Sequence, residues 1–270
     1  MGNLVTNRNL PPPYPPRMPS VSPPVIQAEQ RVPGGTRLRL EWRVEGDSVP
    51  ALLLLPNREP GVKVPAALLL HGLTSRGEVM TDSVGQVLLR RGVASLAPDL
   101  PLHGSRGNPL ELNGLRNPLE AARLWRLALR EAGVAAEFLR THPAVDPGRV
   151  AVVGYSLGSF LGAALAARER EVRALVLAAG GDLPLGTPLT TLARTVVDPL
   201  RAVRGLGCPL LMVHGRRDPV IRPDQAERLF AAAREPKELR WWNAGHSLPA
   251  AAIEDAADWL TRQLGASGQA

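Results

Sequence analysis

Short apolar segments alternate with amphipathic segments along most of the chain, and this alternation limits the possible fold more than any other feature. Segments typical of buried strands lie at 49–55, 64–70, 93–97, 149–153, 172–178, 209–213 and 238–242. Helical periodicity occupies 78–91, 118–140, 156–168 and 224–234, and Ile253, Ala256, Ala257 and Leu260 form one face of a final helix. Strands that take turns with helices predict an α/β fold, with a mostly parallel sheet covered by helices on both faces. An alternating stretch at 36–45 predicts an exposed antiparallel strand at the start.

Two segments do not fit the alternation. Residues 11–24 contain eight prolines, which cannot join a sheet or helix, so we predict a disordered proline-rich arm over 1–30 and a folded domain over 31–270. Two alternatives for the arm are a ligand for a proline-binding groove and an acylated N-terminus. Residues 180–207 form a long connection rich in Leu and Val, which predicts a small apolar cap with one short helix. The alternative for this segment is a packing excursion without a ligand role.

The sequence Gly154-Tyr155-Ser156-Leu157-Gly158 stands where a predicted strand ends and a predicted helix begins. A nucleophilic serine at such a junction needs a sharp turn, and glycines two residues before and after it leave room where any side chain would collide. The N-terminus of the helix also favours developing negative charge. Ser156 is therefore the predicted nucleophile, and a helix-capping serine is the alternative.

Serine needs a base to accept its proton, and the chain has five histidines. His246 follows the last predicted strand on a loop that can reach over the carboxyl edge of the sheet, so it is the predicted base. The other four histidines occupy turns or the ends of elements and are predicted to be structural; they are His71, His103, His142 and His214.

The third expected member is a carboxylate that orients the imidazole. Asp218 follows the strand at 209–213 and lies between Ser156 and His246 in chain order, which favours it. Asp182 is the second candidate, and a turn-capping role is the alternative for either residue. The oxyanion donors are predicted to be the backbone N–H groups of Leu157 and of Leu73, which follows a strand-ending Gly72.

With these motifs, the chain resembles the α/β-hydrolases, and within them the dienelactone-hydrolase-like and prolyl-oligopeptidase-like serine esterases. The resemblance spans about residues 36–265 and includes the segments at 70–75, 97–105, 154–158, 214–218 and 245–246. It implies an α/β-hydrolase domain, a catalytic triad of Ser156, Asp218 and His246, and an oxyanion hole formed by Leu73 and Leu157. The chain departs from dienelactone hydrolase proper in having Ser in place of Cys as the nucleophile, and unlike in the large oligopeptidases no β-propeller is expected before the domain.

Composition narrows the remaining possibilities. The single Cys208 excludes an internal disulfide and precedes a buried strand, so we predict that it is a packing residue. No pair of His or carboxylate residues has metal-ligand spacing on one element, so neither a metal nor a cofactor is expected. The net charge of +7 comes from scattered arginines, which predicts no nucleic-acid partner. The sequence has no apolar run long enough to cross a membrane and does not begin with a leader-like segment. We therefore expect no membrane partner and a cytoplasmic location. The sequence is silent on oligomeric state.

The sequence supports three functional hypotheses. The first is a serine-dependent carboxylic ester hydrolase acting through an acyl-enzyme, with an apolar acyl or alkyl group of small to medium size, as the predicted cap suggests. The second is a peptidase or thioesterase that uses the same three residues. The third is a non-catalytic binding protein on a hydrolase fold, which the presence of all three residues disfavours.

Overall fold

The computed structural model describes residues 21–109, 111, 117–186 and 188–266. Within these residues, nine strands form one sheet in the order β1-β2-β3-β5-β4-β6-β7-β8-β9. The strands are β1 (Val25–Val32), β2 (Gly35–Val44), β3 (Asp47–Pro56), β4 (Val64–Leu70), β5 (Ala94–Pro98), β6 (Val145–Tyr155), β7 (Leu175–Ala178), β8 (Leu210–Gly215) and β9 (Lys237–Trp242). The six strands β4 to β9 are mutually parallel, and β1, β2 and β3 add an antiparallel end. The predicted α/β class is confirmed.

Helices cover both faces of the sheet. They are α1 (Gly77–Met80), α2 (Gln86–Leu89), α3 (Pro118–Thr141), α4 (Leu157–Ala166), α5 (Pro188–Arg194), α6 (Pro199–Arg204), α7 (Pro223–Ala232) and α8 (Ala250–Gln263). One apolar cluster joins the sheet to α3, α4, α6 and α7, and a second joins the other face to α1, α2 and α8. Strand β4 contributes alternate residues to the two clusters, and all seven of its residues are buried, as expected of a central parallel strand. No helix among the described residues is both long and apolar enough to cross a membrane.

The start of the folded domain differs from the prediction. Residues 25–32 form β1, which pairs antiparallel with β2, so the disordered arm predicted over 1–30 is wrong for its last residues. The reason is that the prolines end at Pro24, after which Val25 to Val32 are free to pair with the neighbouring strand. Residues 1–20 of the predicted arm lie outside the described residues.

The helix predicted over 78–91 contains a π-helical turn. Residues Thr81–Gly85 form this turn between α1 and α2. The hydroxyl of Thr81 donates a hydrogen bond to the Gly77 carbonyl at 2.9 Å, which satisfies one carbonyl of the preceding turn. Single π turns occur mostly within α-helices and frequently at functional sites, and this one lies against the cavity described below.

The segment at 180–207 contains α5 and α6, where one short helix was expected. Helix α6 packs against α4 and α7, and its buried Ala202 and Val203, with Leu206 after it, belong to the main core. These apolar residues therefore stabilise the fold. A cap over the site stays a prediction for this segment.

The order of the strands determines where a site can form. The chain passes from β4 to β5 on one side and later to β6 on the other side of β4, so the connections after β4 and β6 diverge at the carboxyl edge. In open parallel sheets ligands bind at such a switch point. The loop after β4 begins with His71 and Gly72, and the turn after β6 contains Ser156.

Candidate active site

Ser156 lies on a strained turn between β6 and α4. Its backbone has φ 51° and ψ −111°, a conformation that costs a non-glycine residue about 1–3 kcal/mol and marks functional sites. The two flanking glycines are sterically required, because a Cβ at Gly154 would overlap the Gly158 carbonyl and a Cβ at Gly158 would overlap the Leu70 carbonyl. The sequence motif therefore forms the sharp turn that its glycines predicted.

The structure brings Ser156, His246 and Asp218 into one hydrogen-bonded chain. The Ser156 Oγ lies 3.0 Å from the His246 Nε2, and the His246 Nδ1 lies 2.8 Å from the Asp218 Oδ2. His246 stands on the loop between β9 and α8, and Asp218 lies on the loop after β8. With Nδ1–H donating to the carboxylate, the Nε2 lone pair faces the serine hydroxyl and can accept its proton.

Asp218 is held so that one oxygen remains for His246. The residue is buried, and its Oδ1 accepts hydrogen bonds from the amides of Val220 at 2.8 Å and Ile221 at 3.0 Å. Nearby, His214 is fully buried and donates its Nε2–H to the Ile221 carbonyl at 2.8 Å. Burial lowers the pKa of His214, so its neutral ring packs beneath the Asp218 turn.

The second candidate acid, Asp182, has different partners. Its side chain is buried and its Oδ2 accepts hydrogen bonds from Arg194 at 2.7 Å and Arg228 at 3.3 Å. These ion pairs connect α5 and α7 to the segment after β7. Asp182 therefore has a structural role, and the carboxylate that contacts His246 is that of Asp218.

The loop after β4, which carries Leu73, lies directly beside Ser156. A Cβ added at Gly72 would lie 3.4 Å from the Cβ of Ser156 and 3.4 Å from the Tyr155 ring. Leu157, the other predicted donor, is the first residue of α4, where backbone N–H groups have no partner within the helix. Both predicted oxyanion amides therefore lie on segments that adjoin Ser156.

Two buried histidines fix the loop that carries Leu73. His71 Nδ1 lies 2.8 Å from the Gly72 carbonyl, and its Nε2 accepts from the Leu100 amide at 3.0 Å. Because the Gly72 carbonyl and the Leu73 N–H share one planar peptide unit, this bond sets the direction of the Leu73 N–H. His103 Nε2 lies 2.6 Å from the Leu73 carbonyl and fixes the next peptide. Sequence reasoning recognised both histidines as structural but missed which loop they hold.

We expect the free energy of unfolding to depend on His71 in acid. Burial lowers the pKa of His71 from 6.5 to about 4, so between these values the unfolded chain binds the extra proton and the folded chain does not. The contribution is complete above pH 6.5, falls as the pH drops to about 4, and amounts to about 3 kcal/mol. Urea unfolding at pH 7 and pH 4 should show a smaller loss for His71→Asn than for the wild type. An identical loss in both proteins would contradict this assignment.

Tyr155 holds the loop that carries His246. Its hydroxyl donates a hydrogen bond to the His246 carbonyl, and its ring contacts the imidazole edge-on, with 5.8 Å between centroids. Burial raises the pKa of Tyr155, so the hydroxyl keeps the proton that it donates. The sequence gives no signal for this role, because the residue between Gly154 and Ser156 varies freely in the motif's definition.

A largely apolar cavity of about 490 Å³ opens beside Ser156 and His246. It extends between the sheet and the helical layer made of α1, the π turn, α2 and α8. Its floor contains Leu88, Val176, Val213 and Leu260, and its rim contains Val79 and Val220. No described residue of 180–207 lines this cavity, so its apolar lining comes from the sheet, the helices and the adjoining loops. The apolar helix faces that form the walls were identified in the sequence as core.

Cys208 is half-buried against the main core. Burial raises the pKa of its thiol to about 11, so the sulfur stays protonated and a poor nucleophile. This agrees with the predicted packing role.

Parts of the chain are similar in sequence to curated proteins. Over 117 residues the chain is 35% identical to a carboxymethylenebutenolidase from Rhodococcus opacus, a match covering 42% of this chain and 44% of that protein. Over 120 residues it is 29% identical to a polyketide transferase from Stachybotrys chlorohalonatus, a match covering 44% and 37%. The matches thus span less than half the length of these curated relatives.

Solved structures show the same fold. The acetyl xylan esterase 1 from a Thermoanaerobacterium species superposes with a TM-score of 0.75 at 20% identity, covering 92% of this chain and 89% of that one. The model of the dienelactone hydrolase family matches residues 49–258. This range includes all three hydrogen-bonded residues, Ser156, Asp218 and His246. The chain belongs to the dienelactone hydrolase family and has the α/β-hydrolase fold.

Proposed function

We propose that this protein is a serine hydrolase that cleaves carboxylic esters with apolar acyl or alkyl groups of small to medium size. The observation that carries the proposal is the geometry of three side chains: Ser156 Oγ 3.0 Å from His246 Nε2, and His246 Nδ1 2.8 Å from Asp218. A hydroxyl at this distance from an imidazole that a buried carboxylate orients can become a nucleophile at neutral pH.

The proposed reaction has two halves. Ser156 Oγ attacks the ester carbonyl carbon while His246 accepts the serine proton, and the amides of Leu73 and Leu157 bind the oxyanion. His246 then gives the proton to the alkoxide leaving group, so the alcohol departs and an acyl-enzyme remains. Water attacks the acyl carbon with His246 as the base, and Ser156 recovers its proton as the carboxylic acid leaves. Each oxyanion donor is expected to contribute about 10²–10³-fold to the rate.

The lining of the cavity favours esters over peptide substrates that carry a free amino group. Among the described residues, none that lines the cavity is acidic, so the cavity offers no carboxylate for a substrate ammonium group. Two of the similar proteins bear the names carboxymethylenebutenolidase and acetyl xylan esterase, which also supports ester hydrolysis.

A fluorophosphonate probe tests the proposal directly. Such a probe reacts much faster with an activated serine than with an ordinary hydroxyl, so we expect one adduct per chain, mapped by peptide mass spectrometry to Ser156. Heat-denatured protein and Ser156→Ala are the controls, and neither should react. Labelling at another residue, or no labelling of the folded protein, would refute a serine mechanism.

A further inference from the structure

The residues that line the cavity beside Ser156 differ strongly in exposure, and we call the buried ones its floor and the exposed ones its rim. At the floor, Leu88 is 0% exposed and Val176, Val213 and Leu260 are each 1% exposed. At the rim, Val79 is 49% exposed and Val220 is 60% exposed. Ser156 and His246 also line this cavity. A group that fills the floor therefore extends from the reacting centre into a space closed by the core.

The order of product release decides which half of an ester fits this space. In the proposed acyl-enzyme the alcohol must leave before water attacks, whereas the acyl group stays attached to Ser156. An alcohol at the floor would have to pass the acylated serine to leave. An acyl chain there would leave the rim free for the departing alcohol and the entering water.

We infer that the floor of the cavity binds the acyl chain of aliphatic esters of medium chain length, and that the alcohol faces solvent. This inference rests on the proposed function. The volume of about 490 Å³ lies in the range of pockets that hold whole small molecules, and it exceeds the needs of an acetyl group. The residues that line it are glycine or apolar, apart from Thr74, Ser75, Ser83, Tyr155, Ser156, His246 and Ser247.

Helix α8 runs along the cavity. It begins four residues after His246 and places Ala252, Ala256 and Leu260 along one wall. Successive members of this row are about 6 Å apart along the helix axis. The first two positions carry small side chains that leave the path open, and the third is the larger, buried Leu260. A larger side chain at Ala256 would close the path one turn beyond the first lining residue.

The experiment compares p-nitrophenyl acetate, butanoate, octanoate and hexadecanoate. For the wild type, kcat/KM should rise about two- to fourfold for each added buried methylene, reach its maximum at medium length, and fall for hexadecanoate. Ala256→Phe should lower the ratio of octanoate to acetate activity at least tenfold. Ala251→Phe is the matched control, since Ala251 is exposed on the same helix, and its ratio should equal that of the wild type. Ala256→Leu supplies a smaller obstruction if the Phe variant fails to fold.

Two further measurements distinguish a failure of the inferred orientation from a failure of the proposed function. Acetate esters of ethanol and octanol vary the alcohol instead; if Ala256→Phe discriminates against the octyl ester and not against octanoate, the orientation is overturned. Acetate hydrolysis without any effect of Ala256→Phe on chain-length preference would also overturn the inference but leave the proposed function intact. If no ester is hydrolysed, calorimetry with octanoate decides: binding that Ala256→Phe abolishes supports the acyl site, and no binding by the wild type overturns it.

Discussion

Replacing Ser156 with alanine should lower kcat for p-nitrophenyl acetate by about 10⁴–10⁶-fold, the loss expected when the nucleophile of such a hydrogen-bonded chain is removed. The alanine has no hydroxyl to form the acyl-enzyme, and His246 would have to activate water directly. The residual rate should come from the oxyanion donors and from binding alone. Steady-state kinetics of the purified variant measures the effect.

The interpretation of Ser156→Ala needs a fold control. The variant keeps a Cβ at φ 51°, so its backbone strain and its thermal unfolding midpoint should stay close to those of the wild type. Ser105→Ala is a matched serine variant, because Ser105 is exposed on the loop after β5 and contacts none of the three residues. A Ser156→Ala protein that retains more than a hundredth of the activity would contradict a serine nucleophile.

Replacing Asp218 with asparagine should lower kcat by about 10⁴-fold, since an amide at this position favours the wrong imidazole tautomer. The asparagine oxygen can still accept hydrogen bonds from the Val220 and Ile221 amides, which keeps the turn in place. The NH₂ group of the asparagine then donates to His246 Nδ1. Because Nδ1 must accept this bond, the single ring hydrogen of the neutral imidazole lies on Nε2. Nε2 can no longer accept the serine proton.

Asp182→Asn is the matched control for this prediction. Asp182 is equally buried but pairs with Arg194 and Arg228, so its replacement should reduce the free energy of unfolding with little change in kcat of the folded protein. Kinetics and urea unfolding of both variants separate the two carboxylates. Equal catalytic losses in the two variants would contradict the assignment of Asp218.

The sequence predicted the parts of this protein that depend on local patterns. The β4 strand is a continuous apolar run, and the turn at Ser156 has glycines at fixed positions, so both could be identified without coordinates. His246 and Asp218 were identified from chain order, because the carboxyl ends of parallel strands meet at one edge. These patterns repeat in many sequences because steric and hydrogen-bonding requirements produce them.

The remaining features depend on contacts between distant segments. The cavity lies where α8 and the π turn leave space against β6, β7 and β8, and the apolar residues of these elements read as ordinary core in the sequence. Val25 to Val32 became a strand because the neighbouring β2 was available for pairing, although prolines immediately precede it. The contact from Tyr155 to the His246 carbonyl crosses 91 positions of the chain, and no local periodicity reports it.

Helix α8 adjoins both the cavity and the residue proposed as the base, so the inferred acyl site has a consequence for the proposed proton transfer. The loop of His246 leads directly into this helix, and the same helix forms one wall of the cavity. An acyl chain that overfills the cavity would push the helix outward and draw the imidazole away from the serine. Esters with very long chains would then occupy the protein without reacting efficiently, and they would act as competitive inhibitors of the shorter esters.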